Sequence, residues 1–385
     1  MPTIVSGVQY SGIWNISSQA NAKAAGTWPV GSPQYLWTWG RNDYGQLGLG
    51  NTTTYSSPKQ TGSIATWAKI SGGGLAEYGI KTDGTLWAWG YNGFGALGLN
   101  NTTNYSSPKQ VGALTNWASV FSSDYHVLFI KTDGTLWSCG RNNYGQLGLG
   151  DTVNRSSPTQ IGSLTTWRSA STGSSFSMAI KTDNTLWGWG YNAYGQLGLL
   201  DFTDRSSPTQ AASSISWLLV GCGSYHDLAI TTSGALWAIG GRNSEGQLGI
   251  GSLANYQSSP QQVGSLTTWS TVVGGAYFSA STKTDGTLWS WGVNTFGQLG
   301  LGNTTTYSSP KQVGGLSSWL QVSAGYQKTG AIQTNGTLWT FGKGSGGGLG
   351  QGNVTNYSSP KQVGSSTTWI NVSNVREDSM MAIKG

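Results

Sequence analysis

Four side chains have the types that metal binding or nucleophilic work needs: His126, His226, Cys139 and Cys222. A histidine can act as a general base or a metal ligand, and a cysteine as a nucleophile once its thiol ionises. A zinc site needs three or four converging ligands, and this spacing supplies no such set. Lys343-Gly344-Ser345-Gly346-Gly347-Gly348-Leu349-Gly350 mimics a loop that cradles phosphate. Such loops use the N-terminus of the helix that follows, and no helical pattern follows Gly350. Outside these groups no carboxylate pair, triad or cofactor fingerprint stands apart, and catalysis requires a local, asymmetric constellation. The sequence therefore predicts a non-enzyme with no cofactor and no metal.

The elements that carry these residues repeat. Leu-Trp occurs at Leu36-Trp37, Leu86-Trp87, Leu136-Trp137, Leu186-Trp187, Leu236-Trp237, Leu288-Trp289 and Leu338-Trp339, with spacings of 50, 50, 50, 50, 52 and 50 residues. Ser-Ser-Pro recurs seven times, and a lone tryptophan follows each proline by nine residues, from Trp67 to Trp369. A period of this length marks a solenoid, a propeller or an array. One unit reads as four short strands. Trp67-Ala68-Lys69-Ile70-Ser71 is the first and Glu77-Tyr78-Gly79-Ile80-Lys81 the second; an Asp83-Gly84 hairpin turn leads to the third, Leu86 to Gly90. The fourth lies near Pro108-Lys109-Gln110-Val111, where an outermost strand tolerates proline.

In the third strand two tryptophans share one face, and the residue between them is always small, as at Ala88 or Gly188. Four-stranded sheets stacked this way describe an all-β, seven-bladed β-propeller. The last copy stops at Met381-Ala382-Ile383-Lys384-Gly385, and the strands it lacks are the first in the chain, beginning at Tyr35. Strands from both termini should close the ring, which removes the orphan sheet edges. The expected organisation is a leader over residues 1–33 and a propeller over 34–385.

Composition fits this scheme and excludes others. Only 9% of residues are charged but 12% are aromatic, so the chain is not disordered. The net charge of +6 is spread thinly, without the basic patch of a nucleic-acid binder. No apolar run has the length of a membrane span, and the start has neither the basic nor the apolar region of a secretory signal. Two cysteines exclude a disulfide scaffold. Cys139, in place of the second tryptophan of its strand, is expected to be buried and inert.

Where the copies differ, binding is the expectation. The loops between first and second strands vary, and the residues assigned to them are Glu77, Tyr78, Asp124, Tyr125, Phe176, Tyr225, Tyr277, Tyr326, Lys328, Arg376 and Glu377. Aromatic anchors among scattered charges suit a binding patch. A second set lies on one arc of the rim: Tyr55 with Lys59, Tyr105 with Lys109, Tyr307 with Lys311, and Tyr357 with Lys361. In the leader, Trp14 and Trp28 flank a short helical pattern and suggest an attachment segment.

Trp39-Gly40-Arg41-Asn42-Asp43-Tyr44-Gly45-Gln46-Leu47-Gly48-Leu49-Gly50 resembles the repeat of the regulator of chromosome condensation family, as does Gly221-Cys222-Gly223-Ser224-Tyr225-His226-Asp227-Leu228-Ala229-Ile230. His126 and His226 fall at that repeat's histidine, and five of the seven copies lack it, which makes their expected role structural. The resemblance spans residues 36–385 and implies seven blades. Its members include a nucleotide-exchange factor on chromatin, a secreted β-lactamase inhibitor, and bacterial and viral proteins without a known role, so the fold alone does not set the function. The stretch from Ser11 to Pro29 is similar to N-terminal segments of tailed-phage structural proteins. The leading expectation is a virion component of tail, baseplate or capsid surface, assembled in the host cytoplasm, that binds other virion proteins or a host-surface protein or glycan. The alternatives are a soluble interaction propeller, of the enzyme-inhibitor or exchange-factor kind, and a lectin.

Overall fold

The computed structural model describes residues 33–374 and 378–385. They form seven antiparallel sheets arranged as the blades of a closed ring. Blade 1 has the strands Trp67–Gly72, Ala76–Lys81, Leu86–Gly90 and Tyr105–Gln110, in that order from the axis outward. Blades 2 to 6 follow along the chain. Blade 7 joins Trp369–Asn374 and Ser379–Lys384 to Tyr35–Gly40 and Tyr55–Gln60. Its seam runs Tyr35↔Lys384 through Gly40↔Ser379, so strands from both ends close the ring as the repeat predicts. The leader, with Trp14 and Trp28, lies outside the described residues.

Every blade has a neighbour on each side, so both faces of its inner strands are covered. The second strand of blade 1 is buried along its whole length. The lone tryptophan that opens each first strand packs edge-on against the pair in the third: Trp67 lies 6.4 Å from Trp87 and 5.8 Å from Trp89. Such T-shaped pairs add about 0.5–1.5 kcal/mol beyond their buried area. The second tryptophan of the pair reaches the preceding blade, as where the Trp89 indole donates to the Gln46 carbonyl at 2.9 Å. The small residue between the two faces its own blade's Gly-Gln-Leu-Gly turn, where the Ser138 hydroxyl donates to the Leu147 carbonyl and that of Ser290 to Leu299.

Around the axis, neighbouring first strands are clasped by hydroxyls. The Ser122 N–H donates to Ser71 Oγ, that of Cys222 to Ser171 Oγ, and that of Gly72 to Ser373 Oγ between blades 1 and 7. These groups line a bore with a cavity of about 240 Å³.

The 52-residue spacing has a local cause in blade 4. One extra residue enters the third strand near Gly240 and another enters the fourth near Gln257. They meet across the sheet in the pair Gly241↔Gln257, so the two insertions compensate as matched bulges. A side chain at Gly240 would place its Cβ 2.1 Å from the Gly195 carbonyl oxygen, so only glycine fits. The fourth strand of this blade is split into Tyr256–Gln257 and Gln261–Gln262. Among the described residues no helix is long and apolar enough to cross a membrane.

Candidate functional site

The loops between first and second strands and the connections between third and fourth strands emerge on one face. Four residues assigned to the former loops lie elsewhere. Glu77, Tyr78 and Phe176 are buried in second strands, and so is Lys328, the first residue of its strand. In blade 1 the loop is only the three residues between Gly72 and Ala76, so of the two readings given to Glu77 and Tyr78, strand and loop, the strand holds. Asp124, Tyr125, Tyr225, Tyr277 and Tyr326 do sit in these loops, partly or well exposed. Arg376 and Glu377 lie outside the described residues.

The loop aromatics are joined by a set that comes from the Gly-x-Asn turns of the 3–4 connections. Because these turns are part of the repeat, their aromatic positions read as scaffold. Tyr44 of blade 7 meets Tyr91 of blade 1 at 5.1 Å, and Phe94 meets Tyr125 of blade 2 at 5.2 Å. The Arg141 guanidinium lies over Phe94 and Tyr125, at 5.3 and 5.7 Å. A second, longer arc starts at Tyr144. It runs to Tyr191 at 4.8 Å, Tyr194 at 5.6 Å, Tyr225 at 5.5 Å, Tyr277 at 6.1 Å and Tyr326 at 6.5 Å. Tyr256 stacks on Tyr194 at 5.2 Å, and Arg242 lies over Tyr277 at 5.1 Å. Among the described residues, rings at every blade junction but that of blades 6 and 7 thus form two contiguous arcs around the mouth of the bore.

Two phenols on this face are held more firmly in the neutral form. Burial and the neighbouring Tyr194 push Tyr191 up to about 12, and burial with Tyr277 and Tyr225 raises Tyr326. The face therefore offers flat apolar rings with hydroxyl donors, held by arginine cations that stack on them.

The histidines do other work. His126 Nε2 and Ser177 Oγ of the next blade stand 2.9 Å apart, and Ser177 Oγ donates to the Gln146 carbonyl at 2.9 Å. With the serine proton committed, Nε2 must carry the imidazole proton, while Nδ1 meets Ser123 Oγ at 2.8 Å. His226 and Ser279 repeat the contact at 2.9 Å between blades 4 and 5. Cys139 and Cys222 are buried free thiols, and the Cys139 thiol is pushed up by burial. The phosphate-loop mimic serves packing as well. A side chain at Gly350, at φ +68°, would strike the Trp39 indole nitrogen at 2.7 Å, and Lys343 lies by Asp378 and over Phe296. Among the described residues no three His, Cys, Asp or Glu side chains converge to hold a metal.

Two carboxyls are buried between blades. Burial raises Glu77 well above the usual carboxylate range, opposed by the charge of Lys328, and neither oxygen has a hydrogen-bond partner among the described residues. Asp227 is raised in the same way, with the Cys222 thiol pulling weakly in the other direction.

On the rim, the predicted pairs belong to four consecutive blades and face each other. Lys59 lies 5.4 Å over Tyr55, Lys109 5.6 Å over Tyr105, Lys311 5.5 Å over Tyr307, and Lys361 4.2 Å over Tyr357. In these blades an asparagine four residues earlier donates to the tyrosine hydroxyl, as Asn101 does to Tyr105. Blades 2 and 3 replace both partners, giving the ion pairs Asp151–Arg155 and Asp201–Arg205. The rim pairs are thus engaged with one another, while the rings of the aromatic arcs are partly or well exposed on their face.

The sequence pattern of the Regulator of chromosome condensation (RCC1) repeat matches residues 35–75, 83–130, 133–180, 183–230, 233–281 and 285–332. A second pattern of the same description matches 117–146 and 167–196. No curated protein sequence matches the chain. Among solved structures, human WBSCR16 is 19% identical with a TM-score of 0.82, covering 92% of this chain and 99% of that one. Prp20p from Saccharomyces cerevisiae, described with its binding to Gsp1p and histones, is 18% identical at a TM-score of 0.81, covering 92% of each chain. Yeast RCC1 (Prp20) in a complex with Kap60 gives 17% and 0.82, covering 100% of this chain and 96% of that one. At these identities the likeness shows the fold.

Proposed function

The chain belongs to the regulator of chromosome condensation repeat family, and from that premise we propose that it is a non-enzymatic interaction propeller that takes a protein partner on its tyrosine-lined face. The observation that carries this reading is the contiguous arc from Tyr144 to Tyr326, built from four successive blade junctions. Tyrosine supplies large contact area at small conformational cost, and aromatic residues with arginine dominate binding hot spots. The yeast relatives, whose descriptions name Gsp1p, histones and Kap60, make a protein ligand the natural class. The histidines and thiols that could do chemistry are engaged in packing between blades, which favours binding over catalysis.

The test pairs a partner captured from the source cells with two variants of the full chain. Tyr194→Ser with Tyr277→Ser should cost at least tenfold in affinity, and Lys59→Ser with Lys311→Ser on the rim should cost less than twofold. Hydrogen exchange in the complex should slow around Tyr191–Tyr194, Tyr225 and Tyr277. A footprint confined to the opposite face would overturn the reading, and glycan binding at several equivalents per chain would favour a lectin instead. The family match does not extend into the leader. A place on a phage particle, with Trp14 and Trp28 as attachment, rests on the leader's own resemblance and is tested by mass spectrometry of purified particles.

A further inference from the structure

On the face opposite the tyrosine arcs, the turn between second and third strands holds a repeated cation. Four second strands end in lysine and a fifth is followed directly by Lys283, and in four blades the ammonium lies directly on the first tryptophan of the third strand. Lys81 is 3.5 Å from the Trp87 centroid, Lys131 3.6 Å from Trp137, Lys181 3.5 Å from Trp187 and Lys283 3.6 Å from Trp289. The tryptophan that opens the first strand forms the other wall, 4.7 to 5.4 Å from the same nitrogens. In each of these turns a threonine accepts the indole N–H, as Thr85 does from Trp87, and itself donates to an aspartate, here Asp83.

Blade 4 keeps the seat and omits its occupant. Trp217 and Trp237 meet at 6.2 Å and 87°, the same corner as Trp167 with Trp187 at 6.3 Å and 80°. Thr231 stands where the lysine should be, Ser233 replaces the aspartate, and Ala235 replaces the threonine. The Thr231 hydroxyl turns to Ser233 Oγ and to the Ala235 N–H, away from the indole. A cavity of about 380 Å³ opens there, lined by Trp237, Thr231, Ser233, Ala235, Ile215 and Gln262. Blade 6, the other blade without the lysine, fills the position with the long side chain of Gln333.

We propose that the blade 4 cavity binds an alkylammonium group, which sits on Trp237 as the lysine ammoniums sit on its counterparts. The four filled copies show that an ammonium sits at contact distance on the first indole of the third strand. In blade 4 that indole, Trp237, lines the cavity, while Trp217 is fully buried and is not part of the lining. The quadrupole of the indole face attracts the cation without a carboxylate, so the loss of lysine and aspartate together leaves the corner neutral and receptive. The hydroxyls of Thr231 and Ser233 and the Gln262 amide supply polar groups beside it. The ammonium can come from a lysine side chain of a partner or from a free amine.

The experiment uses the full chain labelled with 5-fluorotryptophan, with the Trp237 resonance assigned through Trp237→Phe. Titration with n-butylammonium should move that resonance saturably in the millimolar range, and n-butanol should not. Thr231→Lys restores the arrangement of four sister blades, so it should fold with an unchanged or higher Tm and lose at least tenfold in n-butylammonium affinity. A lysine-containing pentapeptide that competes, where its acetylated form does not, assigns the ammonium to a partner side chain; a response limited to n-butylammonium assigns it to a free amine. No saturable shift, an equal response to n-butanol or to a methyl glycoside, or a shift that survives Thr231→Lys overturns the proposal.

Discussion

His126 of blade 2 and Ser177 of blade 3 share a buried hydrogen bond of 2.9 Å, and the serine hydroxyl donates to the Gln146 carbonyl. The bond fastens one wedge of the ring to the next, and His226 with Ser279 fastens another. Replacing Ser177 with alanine removes the hydroxyl that faces His126 Nε2 in a dry interface, while the Gln146 carbonyl keeps the Trp189 indole N–H. The expected loss is about 1–3 kcal/mol in urea unfolding. The loss in a His126→Ala background should be smaller by at least 0.5 kcal/mol, roughly the coupling of residues in contact.

Asp227 occupies the register that Ser177, Ser279 and Thr329 use in other blades to donate to the preceding turn. Burial raises its carboxyl, so the folded chain holds a proton that the unfolded chain releases above pH of about 4. Stability contributed by this proton is therefore lost as pH rises from there toward the raised folded value. Asp227→Ser should stabilise the protein at pH 7 by about 1–3 kcal/mol, with a smaller gain at pH 5. Paired urea titrations at the two values check the sign.

The lysine–indole contacts of the opposite face predict a graded cost. Lys181 lies 3.5 Å over Trp187 and is almost fully covered. Lys181→Met keeps the aliphatic stem and removes the cation, and should cost about 0.5–2 kcal/mol. Thr231, which has no ammonium to lose, provides the contrast. Thr231→Val should change stability by less than half the loss seen for Lys181→Met in the same denaturation assay.

The rim predicts compensation between partners. Asp151→Asn removes the ion pair to Arg155 and should cost no more than about 1 kcal/mol, since the pair is partly exposed. Adding Arg155→Tyr recreates the Asn–Tyr pairing of Asn101 with Tyr105 and should recover most of that loss. Thermal denaturation of the two variants in low salt separates the outcomes.

The ring could be read from the chain because its punctuation is chemical. Each Leu-Trp and each Ser-Ser-Pro answers to a fixed packing need, and the bounds of the first three strands of blade 1 follow within a residue, while the fourth begins three residues earlier than expected, at Tyr105. The missing pair of strands at the C-terminus announced the closing seam. The binding face was harder to see. Glu77, Tyr78, Phe176 and Lys328 read as loop residues because the second strand is covered on both sides, and the alternation that marks a half-exposed strand is absent. Tyr91, Phe94, Tyr191 and Tyr194 were hidden for the opposite reason, since they sit in the most regular part of the repeat. Only three dimensions show that their rings reach the loop tyrosines of the next blade. The signal was present as variation within the turn, where Arg41, Tyr91, Arg141, Tyr191 and Arg242 alternate cation and ring.

Pairing of Tyr35–Gly40 with Ser379–Lys384 has a consequence for biosynthesis. Six wedges can be finished as the polypeptide leaves the ribosome, but the seventh joins strands more than 300 residues apart. Until Ser379–Lys384 has emerged, the nascent ring is a gapped crescent in which the Tyr35–Gly40 edge lacks its mate. Such an edge invites a second crescent as readily as its own mate, so the yield of correctly sealed monomer should depend on how crowded the polysome is.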